Sequence, residues 1–345
     1  MMYMKNGRIR IVDIAEELGV STATVSNVIH GKTKKISDET VKRVQQLLEE
    51  RQYIPSMAGG LLAQNDSKII GVVIHDHEKY EGHTLEDQFI SASVNALAKE
   101  IEREGKFLML KVTDQWNKIP QFASMWNMEG MVLIGFCEQD YKKLREQMHI
   151  PFVVYDGYME SSGNLVNIEV NHFDGGVQAG SYLKSMGHRE VLCISDNNVC
   201  MDMERFLGLK SEIQNAELML IPMEQEARII FYREHLEEIK KYTAVFAVSD
   251  YYAIDFIQFL KSAGVSVPED LSVVGFDNVR ECEKCLPALT TIKQDYEERA
   301  VLALKLLNQL KSGECREKNV RLPVILIERD SVRDVKNAQK YDGIL

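Results

Sequence analysis

Near the N-terminus, apolar residues recur at the three- to four-residue spacing of short amphipathic helices. The pattern predicts a first helix over residues 11–18, and Gly19 follows where a helix end favours a positive φ angle. Ser21 then stands in an N-cap position, where its hydroxyl can accept a backbone N–H from the next turn. A second helix is predicted over residues 22–30, and Gly31 ends it.

A third helix is predicted to begin at Ser37, because Asp38 and Glu39 complement its positive end. The three helices would share one small apolar core, formed by Ile14, Ala15, Leu18, Val25, Val28, Ile29, Val41, Val44 and Leu48. The outer face of the second helix carries short side chains, namely Thr22, Ala23, Thr24 and Asn27. This is the layout of a helix-turn-helix, whose second helix enters the major groove of DNA. An ordinary three-helix bundle without a partner is the alternative.

From residue 67 onward the pattern changes to strands alternating with helices. Apolar runs predict strands at 69–74, 107–112, 131–134, 152–155, 191–194, 244–248 and 272–274. Amphipathic stretches predict helices at 85–104, 176–185, 252–262 and 296–311. Continuous β-branched runs are typical of parallel strands that are buried on both faces. The region is therefore predicted to be α/β, with parallel sheets and enough length for two lobes.

Length and composition agree with a globular protein of two or three domains. The chain has 345 residues, of which 45% are apolar and 27% charged. No apolar run is long enough to cross a membrane, and the N-terminus lacks the features of a signal peptide. We therefore expect a cytoplasmic protein without a membrane partner.

Charge is distributed unevenly along the chain. The net charge is −11, but residues 1–66 hold nine Lys and Arg against eight Asp and Glu. Basic residues also cluster outside the predicted helices, at Lys5, Arg8, Arg10, Lys32, Lys34 and Lys35. Since the local field governs contact with phosphates, the acidic total does not exclude nucleic acid.

The chain shows few signs of metal or catalytic chemistry. Six cysteines are scattered along it, and the Cys282-x-x-Cys285 pair has no second ligand pair at zinc spacing. No phosphate-binding loop, nucleophile elbow or zinc-protease motif occurs. We expect no metal, no cofactor and no enzymatic activity.

The N-terminal motif resembles the DNA-binding module of the LacI/GalR repressor family. Residues 12–31 read VDIAEELGVSTATVSNVIHG, and Tyr53-Ile54-Pro55 follows the third predicted helix. The resemblance implies a domain order of a DNA-binding domain at 1–54, a hinge helix and linker at 55–66, an effector-binding and dimerisation core at 67–332, and a tail at 333–345. It also implies DNA-contacting residues, which are Ser21, Thr22, Ala23, Thr24, Ser26, Asn27, His30 and the minor-groove wedge Leu62.

The chain departs from the family pattern at three places. Asn27 stands where the family usually has Arg, and His30 where Asn is common. Gly59-Gly60 replaces the usual Ala-Arg of the hinge, and each glycine disfavours a helix by about 1 kcal/mol. We therefore predict weaker operator binding or a greater dependence on an effector.

The large region resembles the family's effector-binding core, which has the fold of periplasmic sugar-binding proteins. The matching landmarks include Gly187-His188-Arg189, Arg205-x-x-Gly208, residues 267–278, residues 289–295 and Arg329-Asp330-Ser331-Val332. The resemblance implies a ligand cleft between two lobes, with effector contacts at Arg205, Asp277, Asp156, Ser249 and Gln294. Structural roles are the alternative, in which Asp250 and Asp277 cap helices and Arg205 pairs with a surface carboxylate. The segment His75–His83 is less familiar, and we interpret it as a polar lip of the cleft.

Together these features predict a sequence-specific transcriptional regulator, with repression the favoured mode, that is controlled by a small effector such as a sugar or sugar derivative. The expected partners are a pseudo-palindromic DNA operator and a second copy of the chain. A core that responds to a protein partner, such as a phosphocarrier protein, is the alternative. An exported transport-type binding protein would share the core but would not carry residues 1–63.

Overall fold

The computed structural model describes residues 9–53, 67–135, 143–144, 146–157, 165–316 and 319–336. The chain divides into two compact units, Met1–Asp66 and Ser67–Leu345. In the described residues, none of the helices combines the length and the apolar character that a membrane span requires.

The first unit contains the three predicted helices, α1 (Ile11–Leu18), α2 (Thr22–Ile29) and α3 (Asp38–Glu50). Their local signals act as expected, since Gly19 adopts φ 65° after α1 and the Ser21 hydroxyl caps α2. The buried core consists of Ile14, Ala15, Val25, Val28, Val44 and Leu47. Leu18, Ile29, Val41 and Leu48 are partly buried and pack against this core, and Leu47, which the sequence pattern did not single out, is buried.

The second unit is built on two six-stranded sheets. In chain order the strands are β1 (Ile69–His75), β2 (Phe107–Thr113), β3 (Gly130–Ile134), β4 (Phe152–Tyr155), β5 (Leu165–Val170), β6 (Val191–Ser195), β7 (Glu217–Leu220), β8 (Ala244–Ala247), β9 (Ser272–Asp277), β10 (Thr290–Lys293), β11 (Asn319–Leu322) and β12 (Ile325–Ile327). Lobe 1 holds the sheet β11-β5-β4-β3-β1-β2, and lobe 2 holds β12-β10-β9-β8-β6-β7. Every pair of neighbours is parallel except β10 with β12.

Helices separate the strands, as alternating parallel folds require. They are α4 (Gln88–Arg103), α5 (Ile119–Met125), α6 (His172–Ser185), α7 (Cys200–Glu212), α8 (Gln225–Glu234), α9 (Leu236–Ile239), α10 (Asp250–Ser262) and α11 (Tyr296–Ser312). The chain passes between the sheets after β5, after β10 and between β11 and β12. This is the two-lobed α/β architecture that the sequence predicts.

The helix expected at 85–104 begins later than predicted. Residues Thr84–Glu86 form a 3-10 turn, and Asp87 caps α4 by accepting the Ile90 N–H at 2.9 Å. The early residues therefore belong to an insertion that follows β1. The strands that the sequence pattern missed include β7, β11 and β12, which are short and partly exposed and so lack a continuous apolar run.

Candidate DNA-binding surface and ligand cleft

The predicted DNA-contacting residues of α2 lie on its outer face or at its ends. Ser21, Thr22, Ala23, Asn27 and His30 are exposed, whereas Thr24 and Ser26 are half-buried. The Ser21 hydroxyl accepts the Thr24 N–H at 3.1 Å and lies 2.8 Å from the Thr24 hydroxyl. The helix start is thus ordered by the side chains that would face DNA.

A basic groove lies beside the end of α2. It has a volume of about 450 Å³ and is lined by Asn27, Gly31, Lys32, Lys34, Lys35 and Ile36. The Lys32 backbone N–H donates to the Asn27 carbonyl at 2.8 Å, which ties this loop to the recognition helix. The predicted wedge Leu62 and the Gly59-Gly60 pair of the hinge lie outside the described residues.

The second unit contains a cleft of about 790 Å³ that is lined by residues of both lobes. Four of the five predicted effector residues line it, namely Arg205, Asp277, Asp156 and Ser249. Gln294 does not, because its side chain lies behind Asp277. Asp156 follows β4, Ser249 follows β8 and Asp277 ends β9, so the carboxyl ends of parallel strands bring these side chains together.

Asp156 is held by two buried partners. Its Oδ1 lies 2.8 Å from Nη2 of Arg299 and 3.1 Å from Nε2 of His172. Burial alone would raise the pKa of Asp156, but the Arg299 guanidinium and the His172 hydrogen bond hold it well below its usual range. Burial and the nearby Arg205 charge lower the pKa of His172 to about 4, so its ring is neutral at pH 7.

Arg205 continues this chain of contacts. Its Nε donates to Nδ1 of His172 at 3.2 Å, and its Nη1 donates to the Val248 carbonyl. The guanidinium carbon lies 3.7 Å from the centroid of the Phe276 ring, and Nη2 lies 4.0 Å from Oδ1 of Asp277. Arg205 is therefore fixed by the protein interior, and the carboxylates that it pairs with, Asp202 at 3.7 Å and Asp277, are themselves largely buried.

Gln294 closes the network into a ring. Its Nε2 donates to Oδ1 of Asp277 at 2.5 Å, and its Oε1 accepts from Nη1 of Arg299 at 3.3 Å. Burial raises the pKa of Asp277 well above that of an ordinary aspartate. Gln294 thus orients Asp277 and links it to Arg299 of α11, and it does not itself line the cleft.

Both carboxylates of the ring sit on unusual backbone. Asp156 has φ 55°, Asp277 has φ 122° and Asn278 has φ 54°. Residues other than glycine rarely adopt such angles, and they concentrate at functional sites, where the surrounding structure enforces them. The two strand ends are thus shaped to aim their carboxylates at the cleft.

Asp250 is buried and has a structural role, although its carboxylate does not cap the helix α10 that it begins. Its carboxylate accepts from the Thr291 hydroxyl at 2.6 Å, the Val279 N–H at 2.9 Å and the Cys282 thiol at 3.0 Å. Cys282 thus serves as a buried donor. Across the described ranges, no group of three His, Cys, Asp or Glu side chains is arranged to hold a metal ion.

Three buried polar atoms in the cleft lining have no hydrogen-bond partner among the described residues. They are Oε1 of Gln88, Oη of Tyr155 and Oγ of Ser249. Sequence reasoning missed Gln88 and Tyr155, although Tyr155 directly precedes Asp156 at the end of a strand. The segment His75–His83, interpreted from the sequence as a polar lip, does contribute to the cleft lining, through His75, His77, Lys79, Tyr80, Glu81 and His83.

Comparison with known protein families finds a match within each of the two units. Residues 10–56 match the model of the lacI family of bacterial regulatory proteins, and residues 181–332 match that of the periplasmic binding protein-like domain. The chain is 30% identical over 339 residues to the HTH-type transcriptional repressor PurR of Edwardsiella ictaluri, covering 94% of this chain and 97% of that protein.

Solved structures show the same architecture. The lac repressor dimer bound to operator and the anti-inducer ONPF superposes with a TM-score of 0.81 at 22% identity, over 95% of this chain and all of that one. A LacI family regulator from Enterococcus faecium with bound ribose matches with a TM-score of 0.66 at 25% identity, over 78% of this chain and all of that one. The chain belongs to the LacI family of bacterial regulatory proteins and is a DNA-binding transcriptional repressor of that family.

Proposed function

We propose that the repressor is controlled by a hydroxyl-rich small molecule, a sugar or sugar derivative, that binds in the cleft between the lobes. Arg205, Asp277, Asp156 and Ser249 contact it, and Gln294 holds Asp277 in place. The ligand acts as a corepressor if it binds more tightly to the lobe arrangement that binds DNA, and as an inducer if it binds more tightly to the other arrangement.

The unpartnered polar atoms of the cleft carry this proposal. A buried polar atom without a partner costs about 1–3 kcal/mol, so a ligand that satisfies Gln88, Tyr155 and Ser249 gains that free energy on binding. Gln88 Oε1 only accepts, whereas the two hydroxyls both donate and accept. Hydroxyl groups on a ligand have the same dual capacity, which is why a polyol fits this mixture.

The buried charges favour the same class of ligand. Arg205 offers fixed donors, and Asp277 offers an acceptor at the end of β9. Phe276, stacked on Arg205, keeps the guanidinium plane from turning. The ribose in the Enterococcus faecium regulator is a precedent for a sugar bound by a relative of this fold.

We further propose that two copies of the chain bind one pseudo-palindromic operator. The residues that contact it are Ser21, Thr22, Ala23, Thr24, Ser26, Asn27, His30 and Leu62. Small side chains at the exposed start of α2 permit close approach to base edges, and the lysines of the basic groove supply phosphate contacts. The lac repressor structure, a dimer on its operator, is the precedent for two-fold binding.

Calorimetric titration of the full chain with a panel of pentoses, hexoses, disaccharides and sugar phosphates tests the effector proposal. We expect heat with at least one sugar and a shift in operator affinity at the same concentration. Arg205→Lys tests the contact, because it keeps the positive charge but loses the planar guanidinium group. This variant should bind the same sugar more weakly than the wild type. No heat with any sugar, together with binding to a phosphocarrier protein, would favour the protein-partner alternative.

A further inference from the structure

A buried histidine lies where the two lobes meet. His172 is fully buried and opens α6, directly after the chain passes from β5 of lobe 1 into lobe 2. Its Nε2 lies 3.1 Å from Oδ1 of Asp156, which follows β4 of lobe 1. On the other side of the ring, Nε and Nη2 of Arg205 in lobe 2 each lie 3.2 Å from Nδ1. The ring therefore links a carboxylate of one lobe to a guanidinium group of the other.

These two partners leave the ring of His172 a single protonation state. A guanidinium group only donates hydrogen bonds, so Nδ1 must be the acceptor and carries no proton. An ionised carboxylate only accepts, so Nε2 carries the proton and donates it to Asp156. Burial and the charge of Arg205 lower the pKa of His172 to about 4, in agreement with a neutral ring at pH 7. The contacts therefore select the neutral tautomer with its proton on Nε2.

Within lobe 2, the helices that carry His172 and Arg205 are locked together. A Cβ atom added at Gly176 of α6 would collide with the backbone carbonyl of Arg205. One added at Gly208 of α7 would collide with the carbonyl of Phe173, the residue that follows His172. Only glycine permits such a close approach of two backbones. The ring and the guanidinium group therefore move as one body with lobe 2.

Within lobe 1, Asp156 is braced in the same way. Nη2 of Arg299 lies 2.8 Å from Oδ1 of Asp156 and donates to the Ile168 carbonyl of β5 at 2.7 Å. The Asp156 N–H also donates to that carbonyl, at 3.0 Å, and the Val170 N–H lies 3.4 Å from Oδ1. Arg299 itself lies near the start of α11, which packs on β4 and β5. The hydrogen bond from His172 to Asp156 thus joins two groups that are each fixed in a different lobe.

We propose that His172 is a positioning residue through which lobe 1 controls the orientation of Arg205. Arg299 of lobe 1, which is not part of the cleft lining, then influences effector binding through Asp156. This inference rests on the proposed function only in taking Arg205 as an effector contact. A movement of the lobes changes the hydrogen bond between Asp156 and His172, so the effector site responds to the lobe arrangement. By reciprocity, the lobe arrangement responds to the effector.

The protonation state of the ring is tested by ¹⁵N NMR of the effector-free full chain labelled at histidine. The His172 signals are identified by their loss in His172→Gln or, if that variant is unstable, in His172→Asn. We expect a proton on Nε2 and none on Nδ1 at pH 7. His188 is an internal reference for this tautomer, since it is fully buried and its Nε2 lies 3.2 Å from the Arg333 carbonyl, which only accepts. A proton on Nδ1 of His172 would overturn the proposal, because Arg205 could not then donate to the ring.

Arg299→Lys tests the transmission from lobe 1, because it keeps the positive charge but loses the planar guanidinium group that bonds to Asp156. We expect the Nδ1 signal of His172 to shift, although Arg299 does not contact that nitrogen, and the His188 signals to stay in place. If Arg299→Lys is unstable, Asp156→Asn weakens the acceptor of the Nε2 proton and should shift the same signal. An unchanged Nδ1 signal would overturn the transmission.

Arg228→Lys is the matched control for this measurement. Arg228 is also fully buried and pairs with Asp255 at 2.8 Å, but its hydrogen bonds go to groups other than His172 and its partners. The same substitution should therefore leave the His172 signals unchanged. A shift as large as that in Arg299→Lys would contradict a specific path, because it would show that any buried arginine disturbs the ring.

Effector binding gives the functional readout. With a sugar that gives heat in calorimetry, Arg299→Lys should weaken binding about threefold to tenfold, the equivalent of one hydrogen bond lost at Arg205. Shifted His172 signals with unchanged affinity would overturn the control of the effector site. No heat with any sugar would remove the proposed effector class, whereas the NMR measurements would still decide whether His172 links the lobes. The two failures are therefore distinguishable.

Discussion

At the scale of single residues, two buried tyrosines allow a role in ligand binding to be distinguished from a role in packing. Tyr155 and Tyr232 are both almost fully buried, and the hydroxyls of both lack partners among the described residues. Tyr155 lines the cleft, whereas Tyr232 packs against Phe256 and Phe259 in the core of lobe 2. A tyrosine-to-phenylalanine substitution, which removes one hydroxyl oxygen, can therefore be made both in the cleft and away from it.

We expect Tyr155→Phe to weaken effector binding by about tenfold, because the ligand loses one hydrogen bond to a buried hydroxyl. Tyr232→Phe should leave the affinity unchanged. Both variants should match or slightly exceed the wild type in stability without ligand, since each removes an unsatisfied polar atom. Calorimetry and urea unfolding measure the two quantities, and equal affinity loss in both variants would contradict a direct contact by Tyr155.

His172 makes the stability of the core depend on pH. Its pKa in the folded protein is about 4, below the ordinary value of about 6.5, so the unfolded chain binds a proton first as the pH falls. The stabilisation is therefore complete above pH 6.5 and is lost progressively down to pH 4, in total about 3 kcal/mol. His172→Gln should therefore make the unfolding free energy, measured in urea, depend less steeply on pH between pH 4 and pH 6.5.

His188 provides the comparison for that measurement. Burial lowers its pKa to about 4 as well, and it bonds to Thr243 and Arg333 outside the cleft lining. His188→Asn should flatten the same curve without changing effector affinity, whereas His172→Gln should change both. A curve that is as steep in His172→Gln as in the wild type would contradict the neutral ring.

At the scale of elements, the sequence predicted best where a local rule decides the structure. Gly19 ends α1 and Ser21 caps the start of α2, as expected. The apolar run of β3 is buried at every position. The order of the loop after β1, residues 76–87, could not be predicted, because its polar residues contact residues far along the chain. Glu81, for example, accepts the backbone N–H of Gln225. The hydrogen bond from Gln294 to Asp277 could not be predicted for the same reason, since only the fold brings the two side chains together.

The two serine N-caps of the first unit test its recognition helix. Ser21 caps α2 and Ser37 caps α3 through the same contact, to Thr24 and Thr40 respectively. Either serine-to-alanine change should cost about 1 kcal/mol of helix stability. In fluorescence anisotropy, Ser21→Ala should weaken operator binding by about fivefold or more, whereas Ser37→Ala should stay within about twofold. Equal losses would contradict contact by Ser21.

The hinge prediction rests on sequence alone, because Gly59-Gly60 lies outside the described residues. Gly59→Ala/Gly60→Arg should tighten operator binding by about 30-fold at fixed salt, which corresponds to about 2 kcal/mol of helix propensity. Gly59→Ala/Gly60→Ala separates propensity from the added arginine contact. Unchanged affinity in both variants would contradict the idea that the glycines weaken the hinge.

At the scale of the whole molecule, the alternation of strands and helices was enough to predict two α/β lobes behind a helix-turn-helix. The identity of the effector was beyond such reasoning, because the contacts that we propose come from a ring of side chains and from unpartnered atoms that only the folded chain brings together. Family membership shows that the chain binds DNA, and the chemistry of the cleft supports the ligand class that we propose.

The central claim is that this chain binds a two-fold operator and that a cleft ligand controls the binding. The most direct measurement is selection of fragmented genomic DNA by the purified full chain, with and without the sugar panel, followed by sequencing. We predict enrichment of one pseudo-palindrome of roughly 14–20 base pairs, with enrichment changed by a sugar that gives heat in calorimetry. Selection of no palindromic sequence under any of these conditions would contradict the account.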